Sequence, residues 1–169
     1  WQVLAAALQH AGHHAEALPV AQRAAALAPD SATAQYNLGV IHSQLGHPTE
    51  AETHFLKSLS LQPAQAAAHY NLGVQQLALH RPREAEASFR HAIEHQPEYA
   101  EAHNNLGVSL REQGRIEEAC NALYDAIDLA DHFVAPRCNL GTIFHEAGRL
   151  LDAEKVYRDA LRIQTDAAN

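Results

Sequence analysis

Residues 69–97, HYNLGVQQLALHRPREAEASFRHAIEHQP, decide the fold. Apolar and small side chains stand at helical spacing on both sides of a short break at His80. Pro82 then opens the second run, where a fixed φ and a missing N–H cost nothing. The stretch therefore reads as two helices folded back on each other, and its landmarks recur along the chain. Asn-Leu-Gly stands at 37–39, 71–73, 105–107 and 139–141, with successive glycines 34 residues apart. In the same phase come Ala51, Ala85, Ala119 and Ala153, then Phe55, Phe89, Leu123 and Tyr157, then Ser58, Ala92, Ala126 and Ala160. Pro29, Pro63 and Pro97 close successive units, and Trp1 to Pro29 fit as a nearly full first one.

Each unit is predicted to be a helical hairpin. Gly12, Gly46, Gly114 and Gly148 stand at the breaks, where a residue just past a helix end favours the left-handed region. His80 holds that place in one unit, which predicts strain or a looser turn there. Glycine inside a helix costs about 1 kcal/mol relative to alanine, so the recurrence of Gly39, Gly73, Gly107 and Gly141 calls for a compensating close approach of the partner helix. Phe55, Phe89 and Tyr157 are expected to fill the space beside them. Pro19 falls inside the second run of the first unit and predicts a kink or a late helix start.

The pattern W-x2-L-G-x2-Y…A-x3-F…P at this period resembles the tetratricopeptide repeat, over practically the whole chain. Ala5 departs from it at the first small position, His69 and His103 at the leading large position, and Asp131 and Thr165 at the closing proline. The resemblance implies an all-α fold, a right-handed α-solenoid of tetratricopeptide-type helix-turn-helix repeats. Its repeats run over approximately 1–31 (partial), 32–65, 66–99, 100–133 and 134–167 of a single repeat domain, residues 1–169. Asp166-Ala167-Ala168-Asn169 repeats the opening of a further unit, so the chain reads as a fragment of a longer protein.

The resemblance further implies a concave wall lined by the first helix of each unit. The candidate peptide-binding residues there are Tyr36, Asn37, Val40, Tyr70, Asn71, Val74, Asn104, Asn105, Val108, Arg111, Asn139 and Thr142. Asn37, Asn71, Asn105 and Asn139 would form a ladder whose amides can accept from and donate to a peptide backbone. This ladder is similar to the asparagine-lined repeat region of O-GlcNAc transferases, which implies an extended segment of a substrate protein held along the groove. The same amides could instead bond to neighbouring helices and stabilise the stacking, and both readings stay open. Tyr36 and Tyr70 are expected to offer flat contact area in the groove. Repeat domains that clamp a chaperone's C-terminal carboxylate need Lys and Arg in the groove, where this chain has Tyr, Asn, Val or Glu. Arg111 is the groove cation, with Glu101, Glu112 and Glu146 expected around it, which favours a neutral or basic partner segment. The expected function is a protein-interaction scaffold: either the substrate-recruiting part of a larger protein such as an O-GlcNAc-transferase-like glycosyltransferase, or a free-standing adaptor in a multiprotein complex. End-to-end self-association through uncapped terminal repeats is a further expectation.

Composition narrows the alternatives. The net charge is -8 and the twelve Lys and Arg are scattered, which argues against nucleic acid. No apolar run approaches the roughly 18 residues of a membrane span. Cys120 and Cys138 have no C-x-x-C spacing, which suggests a reducing compartment, and a cytoplasmic location is expected. Thirteen histidines raise a metal hypothesis, with His10 and His14 or His91 and His95 as helix-face pairs, but no third ligand stands at suitable spacing. Most histidines read as parts of the repeat instead. Catalytic patterns such as G-x-S-x-G, the P-loop and H-E-x-x-H are lacking, so no enzyme activity and no cofactor are expected of this chain. Cys138 should face the groove beside Asn139, as a small filler and not as a reactive thiol.

Overall fold

The computed structural model describes residues 1–166, and among them it contains ten helices and no strand. The first helices of the hairpins are α1 (Gln2–His10), α3 (Ala32–Gln44), α5 (Ala66–Ala78), α7 (Ala100–Glu112) and α9 (Val134–Glu146). The second helices are α2 (His14–Leu27), α4 (Pro48–Leu61), α6 (Pro82–His95), α8 (Ile116–Leu129) and α10 (Leu150–Asp166). They fall into two compact units, Trp1–His95 with three hairpins and a second that starts at Gln96 with two.

The turns follow from backbone chemistry. Gly12, Gly46, Gly114 and Gly148 all have φ between 72° and 77°. This left-handed step lets the next two N–H groups reach back, as when Gly46 donates to Ser43 O at 3.0 Å and His47 to His42 O at 2.9 Å. His80 adopts the same geometry, with φ 57° and bonds of 2.9 Å from His80 N to Leu77 O and from Arg81 N to Gln76 O. The looser turn expected at His80 is therefore not formed. Two backbone bonds hold the turn closed, and the misfit stays in the residue's own φ.

Pro19 does not delay its helix. The first turn of α2 forms at His14, with Ala17 N donating to His13 O at 2.9 Å, and the helix continues to Leu27. Pro19 and Ala15, whose carbonyl loses a donor, are both exposed, so the missing bond falls on the surface and not in the core.

The glycines within the first helices are explained by what lies beside them. A Cβ at Gly39 would stand 2.8 Å from two atoms of the Phe55 ring, and one at Gly73 would stand 2.7 Å from Phe89. At Gly107 the obstacle is Leu123 at 2.7 Å, and at Gly141 it is Tyr157 at 2.5 Å. Only hydrogen fits between the two helices of these hairpins. In the first hairpin Ala5 takes the glycine's place and Ala21 takes the ring's, and both are 2% exposed. A small pair there fills the gap that glycine and a bulky side chain fill elsewhere.

A second periodic feature ties hairpins to the segments before them. Gln35, His69 and His103 occupy one phase of the repeat, and each donates a side-chain N–H to the carbonyl of the closing proline six residues earlier. The bonds run to Pro29 at 3.4 Å, Pro63 at 2.8 Å and Pro97 at 3.0 Å. Where Asp131 replaces that proline, Arg137 stands in the same phase and donates to Phe133 O at 3.1 Å instead.

Within each unit, burial joins a second helix to the first helix that follows it, α2 to α3, α4 to α5 and α8 to α9. In unit 1, Ala51, Phe55 and Leu59 of α4 form one cluster with Ala68 and Leu72 of α5. In unit 2, Leu106, Leu110, Leu123, Leu140 and Ile143 are buried. A single hairpin leaves such a face open, so stacking is what buries it. Within each unit the first helices of successive hairpins approach closely, α1 with α3, α3 with α5, and α7 with α9, whereas successive second helices do not among the described residues. A stack whose members lie closer on one side bends toward that side. The first-helix face is thus the inner face of each unit.

Candidate binding face

In unit 1 the inner face carries Tyr36, Asn37 and Val40 from α3 and Tyr70, Asn71 and Val74 from α5, all half-buried. Tyr36 is less free than expected. Its ring packs on Phe55 at a centroid distance of 5.8 Å, and its hydroxyl accepts from Asn71 Nδ2 at 2.9 Å. Burial pushes the Tyr36 phenol above its ordinary pKa, and the bond from Asn71 opposes that rise. Tyr70 packs on Phe89 in the same way at 5.9 Å. Both tyrosines are fixed supports with one face showing, not loose anchors, because the ring of the second helix lies under each of them.

In unit 2 the face carries Asn104, Asn105, Val108 and Arg111 from α7, and Asn139 and Thr142 from α9. Asn104, expected to line the groove, is buried at 6% exposure. Its Oδ1 accepts from Asn139 Nδ2 at 2.9 Å, and its Nδ2 donates to Asn105 Oδ1 at 3.0 Å. Burial selects this network because an unpaired amide there would cost about 1–3 kcal/mol. The Thr142 hydroxyl bonds Cys138 O at 3.0 Å and Tyr157 OH at 3.2 Å. Cys138 is exposed beside Asn139. Val108 and Arg111 are half-buried. The ring of glutamates expected around Arg111 does not form: Glu101, Glu112 and Glu146 are exposed, and none of them pairs with it among the described residues.

The asparagines that bond across hairpins do so at an offset of 35 residues, Asn71 to Tyr36 and Asn139 to Asn104. Gln75, which the sequence reading left out, makes a related link by donating to Ser43 Oγ at 2.9 Å while 4% exposed. Its signal lay in the pairing of polar residues about one period apart on neighbouring parallel helices, which a search for identical letters passes over.

The histidine pairs resolve differently. His10 ends α1 and His14 begins α2, so they do not share a helix face as expected, because the turn at Gly12 separates them. His91 and His95 share α6, and the His69 ring stands 5.2 and 5.5 Å from theirs. No group of three or more His, Cys, Asp or Glu among the described residues could hold a metal ion. No helix among them is long and apolar enough to cross a membrane.

Family models described as Tetratricopeptide repeat match residues 1–64 and 70–132. No curated protein matches the sequence. A crystal structure of MamA superposes with a TM-score of 0.88 at 21% identity, over 97% of this chain and 96% of that one. MamA 41-end from Desulfovibrio magneticus RS-1 gives 0.89 at 21%, over 96% and 92%. YrrB, described as a TPR protein with an unusual peptide-binding site, gives 0.79 at 23%, over 96% and 84%. At these identities the likeness is one of fold. With the two family matches covering most of the sequence, in the phase that its hairpins keep, the chain belongs to the tetratricopeptide repeat family.

Proposed function

We propose that the inner face of each unit holds an extended polypeptide segment. The observation that carries this reading is a row of half-exposed side chains, Tyr36, Val40, Asn71 and Val74, held in place by a bond between hairpins and by rings beneath them. Such preorganisation lowers the ordering cost of binding. Because Asn71 already spends one donor on Tyr36, the valines and tyrosine faces supply contact while the remaining amide groups meet backbone. YrrB, a structural neighbour, is a peptide-binding protein, and that supports the class of ligand. The exposed Glu101, Glu112 and Glu146 of the first helices of unit 2 favour a neutral or basic segment.

The test is capture of unstructured peptides from a display library. Val74→Asp should lower capture by unit 1 while the helical circular dichroism spectrum stays that of the parent, since Val74 is half-buried and outside the buried core. Asn71→Ala should lower stability by about 1 kcal/mol, the net value of one hydrogen bond. Undiminished capture by Val74→Asp would reject the reading.

On this reading the chain is a recruiting scaffold, either in a larger enzyme such as a glycosyltransferase or as a free-standing adaptor. The parent reading frame separates these, since a catalytic domain in it supports the first and a stop codon soon after this segment the second. We further infer end-to-end pairing of copies. Leu4 and Leu161 are 49% and 62% exposed, while their in-phase counterparts Leu38 and Leu59 are 4% and 8% exposed. Sedimentation showing an unchanging monomer mass with rising concentration would dismiss the pairing.

A further inference from the structure

The second-helix side of unit 2 carries a feature that comparison with unit 1 brings out. In unit 1, Arg81 grips two carboxylates. Its Nε and Nη2 donate to Glu84 in the same turn, and its Nη1 donates to Glu52 of the preceding hairpin at 2.7 Å. Nearby, Gln76 Oε1 accepts from Ser88 Oγ at 2.7 Å. The in-phase residues of unit 2 are Arg149, Asp152, Cys120, Phe144 and Val156. Arg149 keeps the local half of the arrangement, with Nε and Nη2 each 2.7 Å from Asp152 Oδ2. The other half is gone, because Cys120 stands where Glu52 would, and Phe144 and Val156 stand where Gln76 and Ser88 would. Arg149 Nη1 has no acceptor among the described residues. Its guanidinium lies 4.5 Å from the centre of the Phe144 ring.

The replacement also leaves room. A cavity of about 420 Å³ lies beside Arg149, lined by Ile116, Cys120, Tyr124, Ile143 and Phe144 together with the polar Glu117 and Asn121. Burial pushes the Cys120 thiol above its ordinary pKa and Arg149 opposes that rise, so the thiol stays protonated near neutral pH and does not stand in for a carboxylate. A cavity with mostly apolar walls and one guanidinium whose third donor is open selects a carboxylate attached to an apolar body, provided the carboxylate sits on Arg149 and not beside Glu117.

We propose that this cavity is a second binding site, which takes a glutamate side chain flanked by bulky apolar residues from a partner polypeptide, the carboxylate seated on Arg149 where Glu52 sits on Arg81. The apolar neighbours lie on Tyr124, Phe144 and Ile116. The site is on the second-helix side and does not depend on the inner face holding a peptide. It differs from that face in its preference, since it takes an acidic segment.

The experiment is an NMR titration of the labelled whole chain with the blocked tripeptides acetyl-Leu-Glu-Leu-amide and acetyl-Leu-Gln-Leu-amide. The glutamate peptide should shift Cys120, Phe144 and Arg149, and the glutamine peptide should bind about tenfold more weakly because the charge-assisted bond is lost. Cys120→Glu should restore the internal clamp, raise the melting temperature and abolish binding, while Cys120→Ser should fold as the parent does and still bind. Arg149→Gln should bind both peptides equally and weakly. Equal affinity of the parent for the two peptides, undiminished binding by Cys120→Glu, or no shift in the cavity up to roughly 10 mM peptide, where even millimolar affinity would show, overturns the proposal.

Discussion

Gly73→Ala is expected to destabilise the fold, although alanine is the better helix former. The exchange gains about 1 kcal/mol of helix propensity. Against it stands the Phe89 ring, three of whose atoms would lie 2.7, 2.8 and 2.9 Å from the new Cβ. Phe89 is 0% exposed, and overpacking against a buried ring costs about 1–3 kcal/mol. The net loss should be about 1 kcal/mol. The decisive comparison is the same change in a Phe89→Ala background. That single change costs about 3–5 kcal/mol by leaving a cavity. With the ring absent the three nearest obstacles are gone and the added methyl fills part of the gap, so Gly73→Ala should there stabilise by about 1 kcal/mol. The first hairpin already contains this paired exchange, Ala5 with Ala21. Urea denaturation followed by helical circular dichroism gives the midpoint of each of the four proteins. A change of the same sign in both backgrounds would refute the reasoning, because glycine would then not be there to make room for the ring.

His80→Gly should raise stability by about 1 kcal/mol, the cost of holding an L-residue in the left-handed region less glycine's extra chain entropy; the thermal midpoint checks it. Stability should also fall in mild acid. Burial lowers the pKa of His42, His54 and His69 below the ordinary 6.5, with Glu50 opposing at His42, and with His42 and Lys57 adding to the lowering at His54. The folded state therefore favours neutral rings, and the unfolded chain takes up protons first. The contribution is complete above pH 6.5 and is lost as pH falls through that value toward the lowered pKa values. His42 stacks on His54 at 5.4 Å and its buried Nδ1 has no hydrogen-bond partner among the described residues, so His42→Leu should flatten the dependence of the urea midpoint between about pH 7.5 and 5.5.

The hairpins, their phase and the glycine-to-ring contacts were legible because each follows from residues recurring at one fixed interval. The four glycines between helices could be paired with Phe55, Phe89, Leu123 and Tyr157 by phase alone. The inner face was legible as a set of positions, but the direction of its side chains was not. Asn104 and Tyr36 are held by partners on the first helix of the following hairpin, and that choice depends on a register offset of 35 that the repeat length does not reveal. Backbone bonds decided between the alternatives at two single residues: the turn at His80 closes with the strain kept in its φ, and the helix that holds Pro19 does not start late. The pairing of Arg149 with Cys120 in place of a carboxylate became visible only once Arg81 and Glu52 were seen in contact.

The most direct test of the inner-face account is methyl NMR of Val40 and Val74, which share the inner face of unit 1, during titration with a library-selected peptide captured by that unit. The account predicts that these methyls shift together and saturably, while methyls confined to the second helices of the unit, such as Leu56 of α4, stay in place. Saturable binding to unit 1 that leaves both valines unmoved would contradict it.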